Sequence, residues 1–276
     1  MSRLSEQYLI TDKQRQEYND NGAVVLRGVV SEQWQSKLAD SIEKDIANPG
    51  PFYHGYETKE GEGEFHGNLR IWENDPGFKD YCLKSVLPNI AQQFFQSKRV
   101  NLLYDQLFVK EPGADSPTPW HNDQPFWPVR GKQVISFWTC LDPVTQESGA
   151  LNFVRGSNNW NRWFQPESFG ESKNIEKFEQ NPDYEPMPDI QANLADYDII
   201  TWDLAPGDIY AFQGLTLHGS GGNLKRDRRR RGYTVRYTGD DVTYDPRPGT
   251  ATVLQDENLK DGDVLKEPLF PVVSQS

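Results

Sequence analysis

Apolar residues at the front of the chain recur with a helical period. Trp34, Leu38, Ile42 and Ile46 stand four apart, which puts them on one face of a helix from Ser31 to about Ala47, ended by Asn48-Pro49-Gly50. A shorter helix is expected over Thr11 to Asn21, where Thr11 and Gln14 make a capping-box pair and Gly22 can take the left-handed stop. A strand, Ala23 to Arg27, follows it, and a third helix is expected over Ser85 to Ser97. Beyond residue 99 the texture changes to short apolar runs separated by Gly, Pro and Asp. Val100 to Lys110, Gln133 to Leu141, Ala150 to Val154, Tyr197 to Trp202, Asp208 to Phe212 and Gly232 to Tyr237 read as strands. Helices in front and many short strands behind imply a mainly β fold, with an antiparallel core and flanking helices.

One domain over 1–276 is expected. Residues 1–99 form a helical buttress and pocket segment, 100–250 the β core, and 251–276 a C-terminal extension, with the tail beyond Pro246 an extended, ordered wrap. Within the core, the polar stretch 157–196 has no clear period and too few apolar residues for a core of its own, which makes it a lid or surface excursion.

Composition supports this reading and narrows the function. The 276 residues include 22 Gly, 19 Pro and 8 Trp, as in turn-rich β proteins. Lys and Arg total 29 against 41 Asp and Glu, for a net charge of −12. That balance argues against nucleic acid and against an anionic membrane surface, since both attract a positive field. Mean hydropathy is −0.78. No apolar run approaches the roughly 20 residues that span a bilayer, so a water-soluble chain is expected. The start, Met1-Ser-Arg-Leu-Ser-Glu-Gln, lacks the basic and then apolar segments of a signal peptide, which makes the cytoplasm the default compartment. With only Cys82 and Cys140, neither a disulfide scaffold nor a cysteine-built metal site is available.

Histidine is scarce, at four residues, so its positions are informative. His121 and Asp123 are two apart in Thr118-Pro-Trp-His-Asn-Asp, and on a strand both would point to one face. His218, in Leu215-Thr-Leu-His-Gly-Ser, supplies a third donor from a later strand. Two His and one carboxylate on one face of an octahedral ion leave three positions open, as non-haem Fe(II) oxygenases require. A lone His-x-Asp is common by chance; the second His followed by small residues and an Arg run gives this one weight. His54 and His66 fall in a polar loop region and read as surface or pocket residues. In the run Arg228-Arg-Arg-Arg231 and the strand after it, alternation puts Arg230, Gly232 and Thr234 on one face and Arg231, Tyr233 and Val235 on the other. The first face has room for a ligand carboxylate beside an arginine, which makes Arg230 the candidate bidentate partner.

The segments Tyr104-Asp-Gln-Leu-Phe-Val-Lys-Glu-Pro112, Pro119-Trp-His-Asn-Asp-Gln-Pro-Phe-Trp-Pro128, Ser136-Phe-Trp-Thr-Cys-Leu-Asp-Pro143, Glu147-Ser-Gly-Ala-Leu-Asn-Phe-Val-Arg-Gly-Ser157, Pro206-Gly-Asp208 and His218-Gly-Ser with its Arg run occur in one order over most of residues 100–250. In them the chain resembles the phytanoyl-CoA dioxygenase family of Fe(II)/2-oxoglutarate-dependent oxygenases. The resemblance implies a double-stranded β-helix core, a cupin-like jelly roll, with iron at His121, Asp123 and His218. It also implies that the far carboxylate of 2-oxoglutarate meets Arg230, assisted by Ser220, Gln106 and Trp138. Family members often have Gln where Asn122 stands and Pro-Gly-Ser-His where Arg155-Gly-Ser-Asn158 stands; neither departure touches the iron ligands.

The chemistry so implied uses Fe(II), 2-oxoglutarate and O2, releases succinate and CO2, and oxidises a small-molecule substrate. Relatives that halogenate lack the carboxylate at the position of Asp123, which favours hydroxylation or a related oxidation. Tyr104, Phe126, Trp127 and Arg130 beside the metal loop, and Asn68 in Phe65-His-Gly-Asn-Leu-Arg-Ile-Trp72, are the substrate-pocket candidates. A CoA thioester is disfavoured, because its phosphates need a basic cleft and the one Arg run is already assigned; a small or mid-sized metabolite fits better. Two other readings are a non-catalytic metabolite- or sugar-binding jelly roll, which leaves the His, Asp and Arg set unexplained, and a zinc hydrolase, which leaves Arg230 without a task.

Overall fold

The structure is a computed structural model that describes residues 7–57, 63–167 and 178–275. In chain order its helices and strands begin with α1 (Asp12–Asn21), β1 (Ala23–Leu26), α2 (Glu32–Ala47), β2 (Tyr56–Glu57) and β3 (Glu64–Leu69). Next come α3 (Pro76–Lys84), α4 (Leu87–Phe95), β4 (Arg99–Lys110), β5 (Thr118–His121), β6 (Val129–Arg130) and β7 (Val134–Cys140). The remaining strands are β8 (Leu151–Val154), β9 (Ile199–Thr201), β10 (Ile209–Gln213), β11 (His218–Ser220), β12 (Arg230–Thr238), β13 (Thr243–Tyr244) and β14 (Val272–Gln275). The major sheet runs β1-β10-β7-β12-β4-β3-β2, with β14 also on β4; a minor sheet runs β5-β11-β8-β9. The observed pairings are antiparallel, as in a jelly roll.

Local chemistry accounts for most boundaries. Thr11 and Gln14 form the reciprocal capping box of α1, and Gly22 ends that helix at φ 80°, a conformation only glycine adopts freely. The four-residue spacing in α2 buries Leu38 and Ile42 completely, with Trp34 and Ile46 packed beside them. Helix α3 is absent from the sequence expectations. Its signals are present, because the Asp75 side chain caps the amides of Gly77 and Phe78 and Pro76 occupies the first turn. Strand β3 is likewise unexpected, because three of its central residues, His66, Gly67 and Asn68, are polar or small. His66 therefore lies on a strand and not in a polar loop. It tolerates burial because Asp45 of α2 takes His66 Nε2 at 2.8 Å and the Asn68 amide at 2.9 Å.

Alternation splits the major sheet into two working faces. Leu107 and Val109 of β4, Ile135 and Phe137 of β7, and Tyr233, Val235 and Tyr237 of β12 pack on the helices in one core. The opposite faces of the same strands carry Gln106, Lys110, Trp138, Arg230 and Thr234 and enclose a cavity with the minor sheet. The segment after Pro246 wraps the cavity side through Ala251, Val253 and Leu254 and ends by pairing β14 with β4. Residues 157–167 and 178–196 are built of turns and short 3-10 segments. The rest of that insertion lies outside the described residues.

One carboxyl sits on the helix side of the sheet. Asp105 is fully buried, accepts from Tyr233 Oη at 2.6 Å and from the Trp72 amide at 2.9 Å, and is pushed up to about 7, chiefly by burial. Its folded pKa exceeds its unfolded value, so the folded state binds the extra proton between about pH 4 and pH 7. Stability from this group is therefore present at low pH and lost as pH rises through about 7, by about 1.4 kcal/mol per pH unit in that window. Asp105→Asn is expected to flatten the fall in melting temperature that Asp105 contributes between about pH 4 and pH 7; an identical pH dependence in both proteins would rule Asp105 out as its source.

Candidate metal centre

Strand pairing brings the two histidines together. In the β5–β11 register His121 lies directly opposite His218, and their ring centroids are 4.2 Å apart. Each Nδ1 points at the carbonyl two residues earlier, His121 at Pro119 O (2.8 Å) and His218 at Thr216 O (3.0 Å). A carbonyl only accepts, so Nδ1 carries the hydrogen, and in the neutral ring Nε2 keeps its lone pair. Those two Nε2 atoms face one oxygen of Asp123, Oδ1, at 3.5 Å and 3.9 Å. One donor atom from each of the three residues lies within 4.8 Å of the others, the spread of a single ion's ligands.

Asp123 does not reach the site by strand alternation as expected. It follows the end of β5 with helical backbone angles (φ −77°, ψ −42°), and it opens the short turn Gln124–Phe126. The turn swings the carboxylate between the imidazoles. Burial alone raises the Asp123 pKa, but Arg236, His218 and His121 together hold it well below the usual range. Burial, then the neighbouring His121, lowers His218 to about 4. An ionised carboxylate and neutral imidazoles are the protonation states that bind a divalent cation.

Arg230 stands at the start of β12, 2 % exposed, with its guanidinium 5.3 Å from the Trp138 ring centroid. Gly232 makes room for that ring, since a Cβ there would lie 2.2 Å from Trp138 Cζ2. Lys110 pairs with Arg230 across β4 and donates to Gly221 O at 2.7 Å and to Ser116 O at 3.0 Å. Its pKa falls through burial and then the charge of Arg230. Arg229 and Arg231 turn away to Glu43, Glu111 and Asp142.

The cavity measures about 370 Å3. Gln106, Trp138, Ser220 and Arg230 line it, as do Tyr104, Phe126 and Trp127, with the Trp127 Nε1–H donating to Tyr104 Oη at 2.8 Å. Apolar walls come from Phe52, Leu69, Phe178, Val253 and Leu254, and His54 lies among them. Two pocket candidates lie elsewhere. The Arg130 side chain is mostly exposed, pairs with Asp245 at 2.6 Å, stacks on Trp163 at 5.2 Å and borders a separate cavity. Asn68 is fully buried on the α2 side of β3, bonded to Asp45. Conversely Arg236, on the cavity face of β12, was not anticipated. The alternation that selects Arg230 and Thr234 reaches Arg236 two residues later.

Comparison with known proteins agrees with this geometry. The family model described as phytanoyl-CoA dioxygenase (PhyH) matches residues 18–232. A probable phytanoyl-CoA dioxygenase from Caenorhabditis elegans is 22 % identical over 255 residues, covering 85 % of this chain and 77 % of that protein. A 2-aminoethylphosphonate dioxygenase from the uncultured bacterium HF130_AEPn_1 is 25 % identical over 239 residues, with coverage of 82 % and 81 %. In fold, the chain is similar to the non-heme alpha ketoglutarate dependent carbocyclase SnoK from nogalamycin biosynthesis, with a TM-score of 0.74, 21 % identity and coverage of 96 % and 97 %.

Partners that merely orient metal ligands are worth about 10–100-fold in affinity, so loss of a direct ligand should cost at least as much. Calorimetric titration with Co(II) is expected to give one ion per chain, with His218→Ala and Asp123→Gly each weakened at least about tenfold. Unchanged affinity in either variant would remove that residue from the site.

Proposed function

The chain belongs to the phytanoyl-CoA dioxygenase family, and on that premise we propose that it is an Fe(II)- and 2-oxoglutarate-dependent dioxygenase that hydroxylates a small or mid-sized metabolite. The observation that carries this reading is the disposition of charge in one cavity, with a His-Asp-His set on one wall and the buried Arg230 on the strand that also borders Asp123. The donor set suits Fe(II), with two imidazoles, one carboxylate and no sulfur. Thr234 adds a sign that a polar ligand belongs there. Its hydroxyl is buried on the cavity wall between Arg230 and Arg236 and has no hydrogen-bond partner among the described residues.

In this reading His121, Asp123 and His218 hold the metal. Arg230 binds the far carboxylate of 2-oxoglutarate through paired N–H donors, with Ser220 and Gln106 as further polar contacts and Trp138 fixing the plane of the guanidinium. Bound iron with 2-oxoglutarate and O2 supplies the oxidising chemistry, in which the oxo acid leaves as succinate and CO2 while a substrate C–H bond is oxidised. The protein's own part is to position and to exclude water. Tyr104, Phe126 and Trp127 wall the cavity beside Asp123, and Phe52, Phe178, Val253 and Leu254 offer an apolar surface for the substrate. The presence of Asp123 favours hydroxylation over halogenation. We read residues 1–276 as one oxygenase unit, because strands from both ends of the described chain, β1 and β14, belong to the major sheet. No helix among the described residues is long and apolar enough to cross a membrane.

Screening a metabolite panel for substrate-triggered succinate release tests the activity; no release above the uncoupled background with the Fe(II)-loaded protein across carboxylic acids, amino acids, phosphonates and terpenoids would count against it. Truncating one side of a buried charge-assisted pair costs about 2–5 kcal/mol. Arg230→Ala is therefore expected to raise the apparent 2-oxoglutarate constant at least about tenfold while sparing Co(II) binding. Arg229→Ala and Arg231→Ala should change it little, since both side chains bond acidic residues outside the cavity. A large effect at Arg229 or Arg231 with none at Arg230 would reverse the assignment.

A further inference from the structure

The two oxygens of Asp123 face different partners. Oδ1 faces both histidine Nε2 atoms. Oδ2 faces away from them, accepting from Ser136 Oγ at 3.3 Å and lying 3.6 Å from Arg236 Nε. Ser136 and Arg236 are direct cross-strand partners of β7 and β12, so sheet register delivers both to the same oxygen.

Among the described residues Arg236 has no other polar attachment. It is 3 % exposed, and its Nε and Nη1 have no hydrogen-bond partner among the described residues. Its guanidinium lies 4.5 Å from the Tyr104 ring centroid and 5.2 Å from that of Trp127, which hold the plane without satisfying its donors. A buried guanidinium left in that state is costly. Among the described residues the carboxylate within ion-pair reach is that of Asp123, and a shift of a few tenths of an ångström would close the hydrogen bond.

We infer that Arg236 is a positioning residue which, with Ser136, holds Oδ2 of Asp123 and so keeps this carboxylate a one-oxygen ligand. The inference rests on the proposed iron and 2-oxoglutarate site and adds a requirement to it. Carboxylates bind metals through one oxygen or two. With Asp123 bound through one oxygen, three protein donors leave three positions open on an octahedral ion. A second oxygen from Asp123 would take one of the positions that 2-oxoglutarate and O2 need. The positive charge of Arg236 also opposes the ion's, so its role is to keep positions open and not to tighten metal binding.

The test compares wild type, Arg236→Met and Arg236→Lys in anaerobic titrations, first with Fe(II) alone and then with 2-oxoglutarate, reading the visible charge-transfer band and the melting temperature. Arg236→Met keeps the side-chain length and removes the charge and the N–H donors. Removing a cation beside the ion offsets the loss of a positioning contact, so the variant is expected to bind Fe(II) as tightly as wild type or more so. Yet it should need at least about tenfold more 2-oxoglutarate, the size of effect that outer partners have on activity, and give a weaker band, since Asp123 then competes for a position. Arg236→Lys should recover part of the 2-oxoglutarate affinity, and Ser136→Ala should shift it in the same direction as Arg236→Met by a smaller factor. Unchanged 2-oxoglutarate affinity and band in Arg236→Met overturns the inference. So does a parallel loss of Fe(II) affinity, 2-oxoglutarate affinity and melting temperature, which marks a packing role only. If wild type itself develops no band, the proposed cofactor chemistry fails first, and the inference about Arg236 falls with it.

Discussion

The antiparallel pairing of β5 with β11 is the constraint on which the site depends. It sets His121 opposite His218, and their Nδ1 hydrogens, both turned to backbone carbonyls, commit each Nε2 to the same point in space. Register is unforgiving, since a slip of one residue would send either imidazole to the other face. The far edge of β11 is fixed by β8, where His218 lies opposite Phe153, so the pairing is held from both sides. The helices have no residue in the metal set; they act by covering the major sheet, which lets its opposite face be polar.

That polar face is costly, and the structure manages it by pairing. Lys110 and Arg230 face each other across β4 and β12, and Lys110 spends its donors on carbonyls. Among the described residues Arg236 has Asp123 alone as an ion-pair partner. The cavity thus holds cations at two levels, one beyond the metal set and one against its carboxylate, in a chain whose net charge is −12. Surface composition and site electrostatics have opposite signs here. The chain carries an excess of acidic residues, while the buried arginines suit a small dianion such as 2-oxoglutarate.

Much of this was legible before any coordinates. The capping box of α1, the four-residue apolar spacing of α2 and the alternation of β12 are local signals, and the structure agrees with each. The His-x-Asp pair and His218 were legible as residue types, although Asp123 arrives through a turn, an outcome that alternation cannot describe. What stayed hidden depends on contacts distant in sequence. His66 reads as a loop residue and Asn68 as a pocket residue until Asp45, some twenty residues earlier, is seen to satisfy both. Arg130 looked like a pocket residue because it follows the metal loop, but Asp245 and Trp163 draw it to another cavity. Arg236 is hidden differently: it lies five residues beyond the arginine run, two past Thr234 on the same face of β12.

The central claim is spatial, so the most direct measurement is spatial too: a crystal structure of the protein grown anaerobically with Fe(II) and 2-oxoglutarate. The expected result is one ion bonded to His121 Nε2, His218 Nε2 and a single oxygen of Asp123, with the keto acid end of 2-oxoglutarate on the ion and its far carboxylate on Arg230. An ion held elsewhere, or 2-oxoglutarate bound with Arg230 unengaged, would contradict it.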